Sequence, residues 1–218
     1  MGAIARSAAN LVTTSGVWLK GGVNNDSFDN VTALPSSLAD GITLISSQTA
    51  NDSASISFTS GLTSTYKAYK FVFVDIHPRT DSVDFSFQGS TDSGSNYGVT
   101  MTTTQFRAYH FEDDSVTQLA YNNVGDLAQS TSFQFITGEI KVGNGADECC
   151  VGSLQLFNPS STTYVKHFII NNQTYNPDNI SANNFIGGYF NTTSAINAIQ
   201  FKMTSGNFDG KIYMYGIK

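Results

Sequence analysis

Three histidines, His77, His110 and His167, the adjacent cysteines Cys149 and Cys150, and the acidic run Glu112-Asp113-Asp114 are the residues of this sequence best equipped for chemistry. No two of the histidines stand at an interval that would make them paired metal ligands on one element. His110, in Arg107-Ala108-Tyr109-His110-Phe111-Glu112-Asp113-Asp114, has carboxylates close by, as a general base would. A hydrolase also needs that base within reach of an activated nucleophile, and no G-x-S-x-G elbow occurs in the chain. His110 therefore reads as a solvated loop histidine. The acidic run and the aspartates between Asp75 and Asp84 could offer oxygens to calcium, which takes roughly six to eight of them, but neither follows the spacing of a calcium loop. Glycoside cleavage would need two opposed carboxylates, and the spacing of the aspartates does not pair any. Gly143-Asn144-Gly145 opens no helix and so reads as a hairpin turn rather than a phosphate cradle. No catalytic residue, cofactor or metal is expected, and the chain reads as a non-enzyme.

Vicinal cysteines rarely bridge one another, because the bond would demand a strained turn between them. On a strand their side chains point to opposite faces, which suits one core and one exposed thiol. Among the tyrosines, Tyr97, Tyr109, Tyr121 and Tyr175 are candidates for surface contact with a glycan. Strands also recruit aromatics for cross-strand packing, so both uses stay open at this point.

The elements that must position these residues are strands. After Gly41 the chain falls into short runs alternating apolar and polar residues, each bounded by Gly, Asn, Asp, Ser or Pro. Ile56 and Phe58 alternate with Ser55, Ser57 and Thr59. The run around Phe71 and Phe73 is apolar on both faces and predicts a central strand. Val83, Phe85 and Phe87 alternate with Asp84, Ser86 and Gln88, which predicts one face in a core and one in water. Further strands are predicted over 97–103, 106–111, 132–142, 151–157, 164–170, 185–190, 199–203 and 211–217, with at most a helical turn over 119–128. Ten or more strands with glycine-bearing turns predict an all-β fold, an antiparallel β-sandwich of jelly-roll type, over residues 41–218.

Residues 1–40 follow neither strand nor helix periodicity and are punctuated by Gly21-Gly22, Asn24-Asn25-Asp26 and Leu34-Pro35. They predict an extended N-terminal attachment arm. Its apolar cluster, Val17-Trp18-Leu19, holds the single Trp, a ring that needs a partner surface. Those three residues are the attachment candidates.

Charged residues make up 13% of the 218, about half the usual share, whereas 40% are hydrophobic and 12% aromatic, so the chain should fold with a polar but largely uncharged surface. A net charge of −6 with scattered Lys and Arg argues against nucleic acid as a partner. No run is long enough to cross a bilayer, and the first residues lack a signal-peptide pattern, so a soluble chain made in a cytoplasm is expected.

Several segments resemble a family of small virion proteins of marine tailed phages, including cyanophages. They include Ile56-Ser57-Phe58-Thr59-Ser60-Gly61, Phe106-Arg107-Ala108-Tyr109-His110, Phe157-Asn158-Pro159-Ser160-Ser161-Thr162-Thr163-Tyr164-Val165-Lys166-His167-Phe168, Gly187-Gly188-Tyr189-Phe190-Asn191-Thr192-Thr193 and Ile212-Tyr213-Met214-Tyr215-Gly216-Ile217. The resemblance spans 41–218 and not the arm. It implies a structural protein of the virion, either a tail fibre or receptor-contacting component or a capsid decoration protein. Other virion proteins would be its partners, a homotrimer its assembly, and a host-surface glycan a further ligand of a fibre. A carbohydrate-binding module is the alternative, and a glycan depolymerase the weaker one.

Overall fold

The computed structural model describes residues 41–138 and 140–218, together with the backbone of two short strands, β1 (Val12–Thr13) and β2 (Gly16–Val17), which pair antiparallel. The unit formed by residues 42–218 is all-β, with no helix among the described residues. Its strands are β3 (Ile42–Ser53), β4 (Ile56–Phe58), β5 (Ala68–Pro78), β6 (Phe85–Ser90), β7 (Met101–Phe111), β8 (Thr117–Tyr121), β9 (Gln134–Phe135), β10 (Cys150–Phe157), β11 (Lys166–Tyr175), β12 (Ile180–Phe190), β13 (Ala198–Met203) and β14 (Phe208–Ile217).

They form two antiparallel sheets, one of eight strands in the order β3-β14-β5-β10-β11-β12-β7-β8 and one of four in the order β4-β13-β6-β9. The pairing is nested: β3 with β14, β4 with β13, β5 with β10 and β6 with β9, each successive pair lying in the opposite sheet. This is one long antiparallel ribbon rolled across two sheets, the jelly-roll topology expected from the sequence. Two hairpins are added to it. The β7–β8 hairpin is inserted after β6 and the β11–β12 hairpin after β10. They pair with each other through β12 and β7 and with the roll through β10 and β11, widening the larger sheet into a wing.

The core between the sheets is phenylalanine-rich because inward positions on facing strands carry Phe58, Phe71, Phe73, Phe85, Phe87 and Phe201, all buried. Phe201 lies 5.2–6.3 Å, centroid to centroid, from the rings of the other five. Each buried Phe contributes on the order of 2 kcal/mol by its area, and edge-on or offset ring pairs add about 0.5–1.5 kcal/mol.

Four expectations need correction. The outer face of β6 does not meet water: Ser86 and Gln88 are buried, because the segment around β9 lies over them and Gln88 Nε2 donates to the Thr131 and Ser132 carbonyls, both at 3.0 Å. That covering segment is why the predicted 132–142 strand shrinks to Gln134–Phe135. β5 is central, but its outer face is open, with Val74 36% exposed. A bulge at Asp75, whose φ is 50°, returns Ile76 to the core. Residues 119–128 contain no helical turn; Leu119 and Tyr121 lie on β8, and Asn122 Oδ1 accepts from the Val124 and Gly125 amides, ending the strand in a loop.

Candidate functional site

The wing departs from the jelly roll in which residues it hides. On β7, Thr103 and Gln105 point inward and are buried, while Phe106 points outward and is 47% exposed. On β12, Asn184 is buried and Phe185 is 37% exposed. Strand period 2 forbids swapping these faces without flipping Met101, Ile186 and Phe190 out of the core, so the outward aromatics are a fixed consequence of register.

Register also aligns them. Asn171, Phe185, Phe106 and Tyr121 form one outward row across β11, β12, β7 and β8. The Phe106 and Phe185 rings are parallel within 10° at a centroid separation of 5.0 Å. Two coplanar rings would be farther apart, so the pair is stacked, and as outward side chains the two form a ridge on the sheet. Beside it, Asn171 and Asn183 exchange side-chain hydrogen bonds at 3.5 and 3.3 Å, and Asn183 Nδ2 also donates to Gln173 Oε1 at 3.3 Å. Ile169 and Leu119, 57% and 71% exposed, extend the apolar surface. The outward positions of β10, β11, β12, β7 and β8 include no Asp, Glu, Lys or Arg.

Beneath this face polar groups are buried among the apolar ones. Thr103 Oγ1 donates to Gln134 Oε1 at 2.6 Å, Gln134 Nε2 to the Gly125 carbonyl at 2.6 Å, and Asn172 Nδ2 to the Val151 carbonyl at 3.0 Å. Gln105 Nε2 reaches Asn184 Oδ1 at 3.3 Å. Gln105 Oε1, Asn122 Nδ2 and Asn184 Nδ2 are buried with no hydrogen-bond partner among the described residues.

The four tyrosines named from the sequence are not brought together. Tyr121 stands on the outward face, its hydroxyl donating to Asp126 at 2.5 Å. Tyr175 is on the same face toward the other end of the strands, donating to Asn179 Oδ1 at 2.8 Å. Tyr109 pairs in register with buried Ala182 and packs inward with Ile140 and Ile180. Tyr97 lies in the β6–β7 connection with its hydroxyl buried. Near it, Asp92 accepts hydrogen bonds from Ser90 and Asn96, which hold its carboxyl at about 2, in a polar cleft of about 370 Å³ that Thr100 and Asn191 also line. Trp18 and Leu19 lie outside the described residues, as does the Val17 side chain.

His110 sits at the outward end of β7, not in a loop, and meets Asp114 at 2.9 Å. Cys150 is buried in the core and Cys149 half-exposed, both unbridged. Burial pushes both thiols up, and the neighbouring Asp75 adds to the effect at Cys149. No group of three or more His, Cys, Asp or Glu among the described residues could hold a metal ion, and no helix among them is long and apolar enough to cross a membrane.

The outward residues Phe106, Phe185, Ile169 and Leu119 were missed from the sequence, although the period-2 text of Phe106-Arg107-Ala108-Tyr109-His110 signals that one of its two faces is apolar and the other is not. Fold and surface together define an antiparallel jelly-roll sandwich with an uncharged, aromatic-bearing sheet face. Comparison with family models, curated proteins and solved structures finds no match to the chain.

Proposed function

We propose that this chain is a non-enzymatic structural subunit of a bacteriophage particle, displayed on its surface as a tail-fibre or receptor-contacting component or as a capsid decoration protein. The observation that supports this most is the wing: it turns aromatic and aliphatic side chains outward over a stable roll and keeps formal charge off that face. Desolvating such a face costs little, and interface cores are likewise depleted in charge and enriched in aromatics. The resemblance of residues 41–218 to phage virion proteins supplies the particle. In this reading the roll is the rigid platform and residues 1–40, with Val17, Trp18 and Leu19, attach it to other virion proteins.

The reading predicts that a chain lacking residues 1–40 stays folded, with an almost unchanged melting temperature, but no longer joins particles. Trp18→Ala is expected to lose part of that association, an interface anchor of this kind accounting for about 2 kcal/mol. Co-sedimentation of the truncated chain with particles at the wild-type level would contradict the attachment role.

A further inference from the structure

Gly187 is unexplained by the fold of one chain. Its neighbour Gly188 faces inward, where a Cβ would meet Thr103 Cγ2 at 2.5 Å and Phe168 Cζ at 2.8 Å, so the core demands glycine there. Gly187 faces outward, and a Cβ there would have only Thr104 Oγ1 within 4 Å, at 3.8 Å. Glycine inside a strand weakens it and marks places where another backbone or ligand comes close. Here it leaves a notch between Ile169 on β11 and Thr104 on β7, its register partners. The Phe106–Phe185 ridge stands two residues away along the strands, about 7 Å.

A ridge and a notch of matching scale side by side on one face are what a two-fold contact requires. An axis passing between them seats each copy's ridge in the other's notch, residue i meeting j and j meeting i. We propose that the outward face of the wing binds a second copy of this chain about such an axis, with Phe106 and Phe185 of each copy packed at Gly187 of the other. This goes beyond the virion reading, does not depend on it, and puts a two-fold pair in place of the homotrimer expected from the sequence.

Three further observations favour a second copy over other occupants. A chain of net charge −6 repels itself, and the strand positions around the ridge and notch carry no carboxylate, the nearest being Asp126 and Asp114 at the margin beside Tyr121 and His110. The 8, 10, 11, 11 and 5 residues of β10, β11, β12, β7 and β8 spread over roughly 700 Å² of sheet, close to the about 800 Å² per partner of a standard interface. Stacked on each other, the two rings each hide one of the flat faces on which a sugar would stack.

The test is Gly187→Val in the full-length chain, followed by sedimentation velocity and thermal melting. Valine suits an exposed strand position and fills the notch. The wild type is expected to sediment at twice 23.5 kDa at micromolar concentration. The variant should dissociate about thirtyfold more readily, the loss expected of a central contact, while the dilute protein melts no lower than wild type. Phe185→Asp, which puts a carboxylate on the ridge, should also give monomer. A wild type that is monomeric at every concentration, or an assembly of any size that keeps its mass in both variants, overturns the proposal.

Discussion

The jelly roll and the wing share one sheet but differ in what they turn outward and in how many polar side chains they bury. In the roll, the inward positions are Phe71, Phe73, Phe85, Phe87 and Phe201, and the partly open outer face of β5 alternates Lys70, Val72 and Val74. In the wing, Gln105, Asn172, Thr174 and Asn184 are buried beside the apolar Met101, Phe168, Ile170, Ile186 and Phe190, while Phe106, Phe185, Ile169, Leu119 and Tyr121 face out. The difference separates two jobs. Ring packing in the roll sets stability, and the wing uses that stability to hold in place an outward apolar surface that would not order itself alone.

The sharpest way to break this comparison is to remove the hub of the roll. Phe201→Ala takes away a ring that five others touch, and should cost about 3–5 kcal/mol in urea unfolding. A loss below about 1 kcal/mol would mean that the rings repack freely. The matching change in the wing is Gln105→Met. It forfeits one 3.3 Å hydrogen bond and orphans Asn184 Oδ1, but it also removes the unpartnered Gln105 Oε1, so a net loss of only about 1 kcal/mol is expected. If the two substitutions cost the same, the wing interior is as tightly specified as the roll and the division of labour fails.

A smaller effect tests the loop after β6. Hydrogen bonds from Ser90 and Asn96 lower the Asp92 carboxyl from 3.8 to about 2, so its contribution is present above 3.8 and lost as pH falls through about 2. Asp92→Asn should lower stability by a constant amount above pH 5 and remove the fall between about pH 4 and pH 2. The smallest expected effect is at the thiols. Cys150, buried with its thiol pushed up, should resist a maleimide in the native state and react only on unfolding, whereas rapid native labelling would show that the roll opens locally.

The roll was legible because its inward residues are large and its strands are short, regular and turn-bounded, as Ile56 to Phe58 and Phe85 to Phe87 show. The nested order of the pairs was not, since pairing across more than a hundred residues, as between Ser57 and Gln200, leaves no local mark. The outward face of the wing was not legible, for the opposite reason. Period 2 says that Phe106 and Gln105 take different faces, but not which face is inside, and the ordinary hydrophobic rule would bury Phe106, which is 47% exposed, and expose Gln105, which is buried. The buried outer face of β6 was hidden likewise, because the segment that covers it is irregular. Tyr121 was the one glycan candidate that fell in the aromatic row, and it did so beside residues that the sequence reading had passed over.

The most direct test of the proposed role is a cryo-EM reconstruction of the particle to which this chain would belong, with the chain placed in the density. The account predicts the roll on the particle exterior, with Phe106, Phe185 and Gly187 of the wing covered by the same residues of a second copy. A chain absent from the purified particle, or one whose wing face stands bare in solvent, would contradict it.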